Sequence, residues 1–346
     1  MNAGAGSTTW LAEVKASVEA HLSAFFAEER ARLCQLAPDA AELVDAIEGF
    51  TMRGGKRLRP ALAYAAYRSV QPSGRFADVA DACAALELLQ SYLLIHDDWM
   101  DGDEERRGGP AVHALMRSRR ANAHLGDSLA ILAGDLASAQ SWRLIARCGR
   151  DPERRAAALE VALRMHEEVI VGQQLDLIAS PDVSRMHQLK TGSYTVRGPL
   201  ALGAVLGGAS PQQRDALERF GAPVGEAFQM RDDLLGAFGD PRETGKPAGN
   251  DLRAGKRNAV IRAAEARCSE AELAPVRAVL GKADASDAQV QAALEVIERS
   301  GAKADVEARL RELLDEALAV LASAPLEEPG RGMLRELAQR LAVRAS

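Results

Sequence analysis

LLIHDDWMDGDEERRGG, residues 93–109, is the stretch around which the rest of the sequence is arranged. It ends an apolar segment in which alanine, leucine and isoleucine recur at three- and four-residue steps, a pattern that predicts a helix. At about 3.6 residues per turn, Asp97 and Asp101 lie on one face, whereas Asp98 points roughly 100° away. Carboxylates at the negative end of a helix repel one another, so a bound hard cation is the simplest reason for this arrangement.

Other interpretations of this acidic segment are open. Acidic clusters at helix ends are usually solvated loops. An EF-hand calcium loop starting at Asp97 would place Trp99 and Gly108 at positions that require oxygen ligands, which argues against it. His96 and Asp97 resemble a metallophosphatase pair, but the six histidines are scattered singly along the chain. Carboxylates without imidazole or thiolate favour magnesium or manganese over zinc.

The composition excludes several classes of protein. The 346 residues are 47% hydrophobic and 27% charged, enough for a large buried core, and the net charge of −6 argues against a nucleic-acid partner. The four cysteines form no CxxC pair, which indicates a reducing compartment without structural zinc. No signal-peptide pattern or membrane-spanning apolar run is present. We therefore expect a cytoplasmic protein with no transmembrane segment.

Helical periodicity covers nearly the whole chain and no alternating β pattern appears, so the fold class is predicted to be all-α. We expect residues 1–9 to be a disordered tail and residues 10–346 to form a single large helical bundle around a central cavity. The predicted helices cover residues 10–33, 39–50, 58–69, 77–100, 113–119, 126–148, 152–179, 183–190, 193–206, 211–238, 258–267, 270–280, 287–299, 303–321 and 326–342.

A basic loop precedes the first acidic helix. GGKRLRP, residues 54–60, combines flexible glycines, three cations and a proline that can open a helix. Exposed N–H groups and guanidinium forks favour a phosphate-like anion, although an ordinary basic surface turn has the same composition.

A second acidic helix end carries Asp232 and Asp233, and Gly236 stands where a same-face partner for Asp232 would be. The following segment, residues 239–255, is predicted to be a loop without regular structure, and Lys256 lies just beyond it. Loops of this length inside a compact domain are usually functional.

Gly172 and Asp176 interrupt an otherwise apolar helix. They indicate either close approach to a polar ligand or, as the favoured interpretation, a helix crossing that needs a glycine. Lys190 and Thr191 add a cation and a hydroxyl at a helix boundary.

In their order along the chain, these motifs resemble the trans-isoprenyl diphosphate synthase family, which includes farnesyl and geranylgeranyl diphosphate synthases. The resemblance runs from residue 54 to residue 258. The motifs are GGKRLRP (54–60), ELLQ (87–90), DDWMD (97–101), RRG (106–108), GQQLD (172–176), KTGSY (190–194), FQMRDD (228–233), GKPAGND (245–251) and DLRAGKRN (251–258).

The resemblance implies a role for each matching residue. The expected metal ligands, for magnesium ions that number three with substrate bound (manganese being possible), are Asp97, Asp101 and Asp232. The catalytic groups would be these three with Asp98, Arg106, Lys190 and Lys256. The isopentenyl diphosphate site would contain Lys56, Arg59, Gln90 and Arg107. The remaining substrate-binding residues would be Arg106, Lys190, Thr191, Gln229, Lys246 and Lys256. The family is usually homodimeric, with its two aspartate motifs facing each other across the cavity.

The predicted function is magnesium-dependent condensation of isopentenyl diphosphate with an allylic diphosphate. Tyr92, five residues before Asp97, is expected to close the floor of the chain pocket, which favours geranylgeranyl diphosphate as product; ordinary core packing is the alternative for this ring. Other possibilities are a farnesyl diphosphate synthase, a non-catalytic regulatory subunit, and a class I terpene cyclase. Gly236, at the last position of the usual DDxxD motif, supports the subunit, whereas the second diphosphate site argues against the cyclase. In an active synthase we expect water to replace the missing acid.

Overall fold

The computed structural model describes residues 9–120, 122–178, 180, 182–239 and 248–343. These residues are almost entirely helical, which confirms the all-α prediction. The α-helices are α1 (Thr9–Cys34), α2 (Ala41–Met52), α3 (Leu58–Val70), α4 (Ala80–Asp101), α5 (Val112–Arg119), α6 (Ala123–Arg147), α7 (Pro152–Leu177), α8 (Val183–His187), α9 (Gly198–Gly207), α10 (Pro211–Phe238), α11 (Asn250–Arg253), α12 (Ala259–Arg267), α13 (Ala274–Val279), α14 (Asp287–Arg299), α15 (Ala302–Ser323) and α16 (Gly330–Val343).

Shorter elements complete the description. Two 3₁₀ turns span Pro38–Ala40 and Phe76–Asp78, and a π-helix spans Gln188–Arg197. The strands β1 (Glu105–Arg106) and β2 (Gly109–Pro110) form an antiparallel pair. None of the described helices is long and apolar enough to cross a bilayer.

The chain divides into two compact units. The first contains Met1–Leu163, Pro199–Ser210 and Leu326–Arg331, and the second contains Arg164–Gly198, Pro211–Pro325 and Gly332–Ser346. The expectation of one domain over residues 10–346 stays a prediction. Of the expected tail, residues 1–8 lie outside the described residues, whereas Thr9 already begins α1.

Three details of the secondary structure differ from expectation. The β1–β2 hairpin was not predicted, because two-residue strands are too short to show alternation. The segment expected to be wholly irregular contains α11. No helix break occurs at Gly192, because the backbone continues there as a π-helix.

In the first unit, α4 is the central helix. It packs along α6 and also contacts α1, α2, α3 and α5. Apolar and small residues surround its first ten positions, so it is buried on all sides there, as expected for a helix inside a bundle. Near its C-terminal end the ring of His96 lies over Gly134 of α6, where an added Cβ would come within 2.2 Å of Nε2. His96 is therefore engaged in helix packing, which argues against the metallophosphatase interpretation.

Arg57, the middle cation of the basic loop, is buried and anchors that loop to three helices. Its guanidinium pairs with Glu87 of α4 and donates to Glu19 of α1 at 3.3 Å. It also donates to the carbonyl oxygen of Thr51 in α2 at 2.9 Å. Arg57 has a φ of 49°, a left-handed conformation that non-glycine residues rarely adopt. The contacts of its side chain hold the loop in this shape.

The second unit is built on α10, which packs against α15, the π-helix and α12. Its apolar core includes Leu252, Val260, Ile261, Val276 and Ile297, all at most 2% exposed. This core fixes α11 and α12, the elements that follow the second aspartate pair, beside the end of α10.

The buried Arg57–Glu87 pair makes a first prediction. Arg57→Ala should lower the free energy of unfolding by about 3–5 kcal/mol, because the carboxylate of Glu87 is left buried without its counter-charge. Urea unfolding followed by circular dichroism measures the change.

The matched control is Arg219→Ala, since Arg219 forms an exposed pair with Asp215 on α10. That substitution should change the free energy of unfolding by no more than about 0.5 kcal/mol. Equal losses for the two variants would show that Arg57 does not anchor the loop.

Candidate active site

The first aspartate pair divides its two carboxylates between protein and solvent. Asp98 is fully buried and accepts a hydrogen bond of 2.8 Å from Nε of Arg106, with a second contact from Nη2. Asp97 is half-buried and Asp101 is exposed. Gly102, with a φ of 71°, ends α4 directly after Asp101. The three aspartates therefore stand at a sharply defined helix end, with only Asp98 turned inward.

Burial raises the pKa of Asp98, although the hydrogen bond and the charge of Arg106 act in the opposite direction. Burial alone would lower the pKa of Arg106, but its bond to Asp98 raises it overall. No described residue donates to the second oxygen of Asp98, Oδ2. Asp98 therefore orients Arg106 rather than facing solvent as a metal ligand would.

Arg106 and Arg107 diverge because Arg106 ends strand β1 and Arg107 is the first residue of the hairpin turn. Arg107 and Gly108 have φ values of 53° and 71°, the two positive values that a type I′ turn requires. Arg53, at the end of α2, donates to the carbonyl oxygens of Arg106 at 3.2 Å and of Pro110 at 2.8 Å, which ties the hairpin to the helix. Arg106 then points to Asp98, while Arg107 points away from it.

Arg107 reaches the basic loop. Its Nη1 lies 3.4 Å from the carbonyl oxygen of Gly54, and a Cβ on Gly55 would be 3.4 Å from the same nitrogen. Partial desolvation and the positive charges of Arg57, Arg59 and Arg106 lower the pKa of Arg107, against the opposite effect of Glu87.

The structure thus concentrates positive charge from two separate motifs at one place in the first unit. Lys56 is exposed there, and Arg59 and Gln90 are half-buried. These cations repel one another, and this mutual repulsion favours the binding of an anion among them. Forked guanidinium donors suit the oxygens of a phosphate group.

In the second aspartate pair, as in the first, one carboxylate is buried and the other is more exposed. Asp233 is buried and accepts from the side chain of Gln229 at 2.8 Å and from the N–H of Ala259, at the start of α12, also at 2.8 Å. Asp232, the preceding residue, is exposed. Burial raises the pKa of Asp233 against these hydrogen bonds, and burial lowers the pKa of His187 beside it. Gln229, which the resemblance assigned to substrate, is thus engaged with Asp233.

A cavity of about 470 Å³ lies within the second unit behind this pair. Asp233 and Gln229 of α10, His187 and Arg197 of α8 and the π-helix, and Arg262 of α12 are among its lining residues. Asp232 does not belong to this lining, so the two aspartates face different surroundings.

Lys190 is set in place by a close crossing of two helices. A Cβ on Gly172 of α7 would lie 2.2 Å from the backbone nitrogen of Lys190 in the π-helix. The favoured interpretation of Gly172 as a crossing glycine is therefore supported. Nζ of Lys190 forms an ion pair with Asp176, one turn after Gly172, at 2.6 Å. π-Helical turns are frequent at functional sites, and this one carries both Lys190 and Thr191.

Each unit, taken by itself, offers oxygen donors that suit magnesium. Asp97, Asp101 and Asp232 offer carboxylate oxygens, the ligands that hard cations prefer. Among the described residues, no three His, Cys, Asp or Glu side chains are gathered into a complete metal centre. Magnesium is commonly held by one or two carboxylates together with substrate phosphates.

Lys246 and Lys256 are the two remaining candidate residues. Lys256 is exposed and lies 3.7 Å from Asp251, and Lys246 lies outside the described residues.

Arg53, Arg57 and Asp251 have structural contacts that sequence reasoning missed. Arg53 contacts Pro110, 57 residues away, and Arg57 contacts Glu87, 30 residues away. A buried acid such as Glu87 inside an apolar helix was the one available signal.

The crossing at Gly172 makes a second prediction. Gly172→Ala should reduce the free energy of unfolding by about 1–3 kcal/mol, because the added methyl group must push the backbone of the π-helix away. Gly192→Ala is the control, since its Cβ would meet nothing closer than a carbonyl oxygen at 3.8 Å. Urea denaturation of both variants measures the difference, and an equal effect would refute a tight crossing.

Comparison with known proteins places this geometry in a family. The family model described as polyprenyl synthetase matches residues 40–297. A short chain isoprenyl diphosphate synthase from Methanothermobacter thermautotrophicus is 36% identical over 285 residues, which cover 80% of this chain and 82% of that protein. A geranylfarnesyl diphosphate synthase from Aeropyrum pernix is 33% identical over 282 residues, which cover 79% and 84%.

A solved structure agrees over nearly the full length. The crystal structure of geranylgeranyl pyrophosphate synthase from Corynebacterium glutamicum, complexed with isoprenyl diphosphate and magnesium, superposes with a TM-score of 0.88 at 35% identity. The superposition covers 96% of this chain and 99% of that one. The family inferred from the ordered motifs is confirmed: this chain belongs to the polyprenyl synthetase family and is a trans-prenyltransferase of the short-chain isoprenyl diphosphate synthases.

Proposed function

We propose that this enzyme condenses isopentenyl diphosphate with an allylic diphosphate and that its main product is geranylgeranyl diphosphate. The observation that carries the proposal is the approach of Arg107 to the basic loop at Gly54, which gathers cations suited to a second diphosphate group. A terpene cyclase, which binds one diphosphate, has no use for such a cluster. Farnesyl diphosphate is the second candidate product.

The proposed binding roles follow from the two directions of the arginine pair. Arg107, with Lys56, Arg59 and Gln90, would bind the diphosphate of isopentenyl diphosphate. Arg106, oriented by Asp98, would contact the allylic diphosphate. Lys190, oriented by Asp176, would contact it as well, together with Lys256.

The proposed chemistry starts with the departure of pyrophosphate from the allylic substrate. Magnesium, held by Asp97, Asp101 and Asp232, would supply positive charge to the departing oxygens. Arg106 and Lys190 would add fixed positive charge to the same group, and preorganised charge of this kind is usually the largest catalytic contribution. The double bond of isopentenyl diphosphate would then attack the allylic carbon, and pyrophosphate would accept the released proton. Holding both substrates in register would contribute the rest of the acceleration.

We also propose that the enzyme acts as a homodimer. Leu125 and Leu132 lie about two turns apart on one face of α6, and 45% and 51% of their surface is exposed. Exposed apolar residues on one helix face are typical of a symmetric interface. Sedimentation velocity measures the oligomeric state.

The test of the proposed function is an incubation with magnesium, isopentenyl diphosphate and each allylic primer, followed by sizing of the products. Asp97→Ala should lower turnover by at least about a hundredfold, because the first motif loses its half-buried metal ligand. The circular dichroism spectrum should stay helical. Asp215→Ala, which removes an exposed carboxylate elsewhere, is the control. Full activity in EDTA would contradict the proposal, and an inactive wild-type protein would favour a regulatory subunit.

Tyr92 is proposed to limit product length. It lies about 7.5 Å along α4 from Asp97, at about 1.5 Å per residue. Its ring packs edge-on against His96 with centroids 4.9 Å apart. His96 in turn lies against Gly134 of α6, so the ring of Tyr92 is on the side of α4 that faces α6. Burial, together with the nearby charge of Asp135, raises the pKa of Tyr92. A bulky ring in this position would stop the growing chain.

Tyr92→Ala should shift the products to longer chains, because the pocket loses its floor. Tyr92→Phe keeps the ring and should leave the product distribution unchanged. Chromatography of the dephosphorylated products distinguishes the two variants. If the alanine variant is folded and active and makes the wild-type products, Tyr92 has only a packing role.

A further inference from the structure

The hairpin that carries Arg106 and Arg107 is too small to hold its position by itself. Each of its strands, β1 and β2, has two residues, and the ladder pairs Glu105 with Pro110 and Arg106 with Gly109. An isolated two-stranded hairpin is marginally stable at best in water, and other parts of a protein have to support it. Contacts from outside the hairpin must therefore keep it beside the basic loop.

Charge repulsion opposes the position in which the hairpin lies. Desolvation and the positive charges of neighbouring arginines lower the pKa of Arg107, so these like charges are close enough to repel one another. The contact between Nη1 of Arg107 and the carbonyl oxygen of Gly54, at 3.4 Å, is long for a hydrogen bond. Another interaction has to hold the hairpin here before an anion binds.

Arg53 supplies this interaction from the end of α2. One nitrogen of its guanidinium, Nη1, donates to the carbonyl oxygen of Arg106 in β1 at 3.2 Å and to that of Pro110 in β2 at 2.8 Å. The two bonds reach both strands of the hairpin, and hydrogen bonds from a charged donor are stronger than those between neutral groups. Arg53 directly precedes Gly54, whose carbonyl oxygen meets Arg107, so the chain and the hairpin contact each other twice at this point.

Gly109 provides the space in which the guanidinium of Arg53 lies. A Cβ on Gly109 would be 2.7 Å from Nη1, 2.8 Å from Cζ and 3.0 Å from Nε of Arg53, so any side chain would collide with this group. Unlike Gly108, Gly109 does not have a positive φ, so alanine would cause this collision without straining the backbone. The arginine and the glycine therefore depend on each other.

We propose that Arg53 is a positioning residue of the isopentenyl diphosphate site, which keeps Arg107 beside the basic loop before substrate binds, and that Gly109 makes this contact possible. A cation that is held in place in advance loses less entropy when it binds its ligand. Arg106 has a separate anchor in Asp98, so the loss of Arg53 should affect Arg107 more than Arg106. This inference rests on the proposed function, in which Arg107 binds isopentenyl diphosphate.

Substitution of Arg53 tests the positioning role. Arg53→Ala should raise KM for isopentenyl diphosphate by about tenfold or more, whereas kcat and KM for the allylic diphosphate should change by less than about twofold. Arg53→Lys keeps a charged nitrogen that can donate to both carbonyl oxygens, so KM for isopentenyl diphosphate should stay within about threefold of wild type. The matched control is Arg68→Ala, because Arg68 of α3 also donates to a carbonyl oxygen, that of Pro72, and it should have wild-type KM values.

Gly109→Ala tests the same contact from the other side. Its methyl group should displace the guanidinium of Arg53 and raise KM for isopentenyl diphosphate in the same way as Arg53→Ala. Adding Gly109→Ala to Arg53→Ala should change this KM by less than about a further twofold, because the displaced group is already absent and the two sites are directly coupled.

Two further measurements do not depend on turnover. Calorimetric titration with isopentenyl diphosphate alone should show weaker binding in Arg53→Ala and Gly109→Ala by about the factor seen in KM. Amide hydrogen exchange of residues 105–110 should be faster in both variants, because the hairpin opens more often. Circular dichroism of each variant checks that the helical fold is kept.

Three results, obtained with an active wild-type protein, would overturn the positioning role. They are a wild-type KM for isopentenyl diphosphate in Arg53→Ala, an equal rise in the KM values of both substrates, and a double variant whose loss is the product of the two single losses. An inactive wild-type protein would instead contradict the proposed function, and the inference would fall with it.

Discussion

Burying a carboxylate costs several kcal/mol unless a counter-charge or hydrogen-bond donors compensate it, and in each aspartate pair the buried carboxylate has such partners. Asp98 is buried against Arg106, and Asp233 is buried against Gln229 and the first N–H of α12. Their neighbours Asp97 and Asp232 remain toward solvent. Two adjacent residues on a helix point about 100° apart, so the buried member contacts the segment that follows and the other stays nearer to solvent.

The arginines of the first unit also differ from one another in what they contact. Arg57 and Arg53 are used within the fold, where they hold the basic loop and the hairpin turn. The hairpin turn separates Arg106 from Arg107 and directs Arg107 to Gly54. A cation that is fixed by the protein before substrate arrives loses little entropy on binding, which is why anchored guanidinium groups suit diphosphate recognition.

Gly236 shows that a departure from a motif has to be judged from its surroundings in the fold. Read along the chain, the glycine removes an acid from the second motif. In the fold, the carboxylate of Asp251 approaches this glycine closely. A missing side chain therefore says little about a site until its neighbours in space are known.

Much of this protein followed from the sequence by itself. The all-α class, the ends of α10 and α14, and the two acidic helix ends are all encoded in local periodicity, because helices form from contacts three and four residues apart. The family followed from the order of its motifs. Local patterns could not predict the hairpin at residues 105–110, the partners of Arg57, the segment that crosses at Gly172 or the place of Asp251. Those features depend on side chains that meet only when distant segments pack together, and packing in space is a property of the tertiary structure alone.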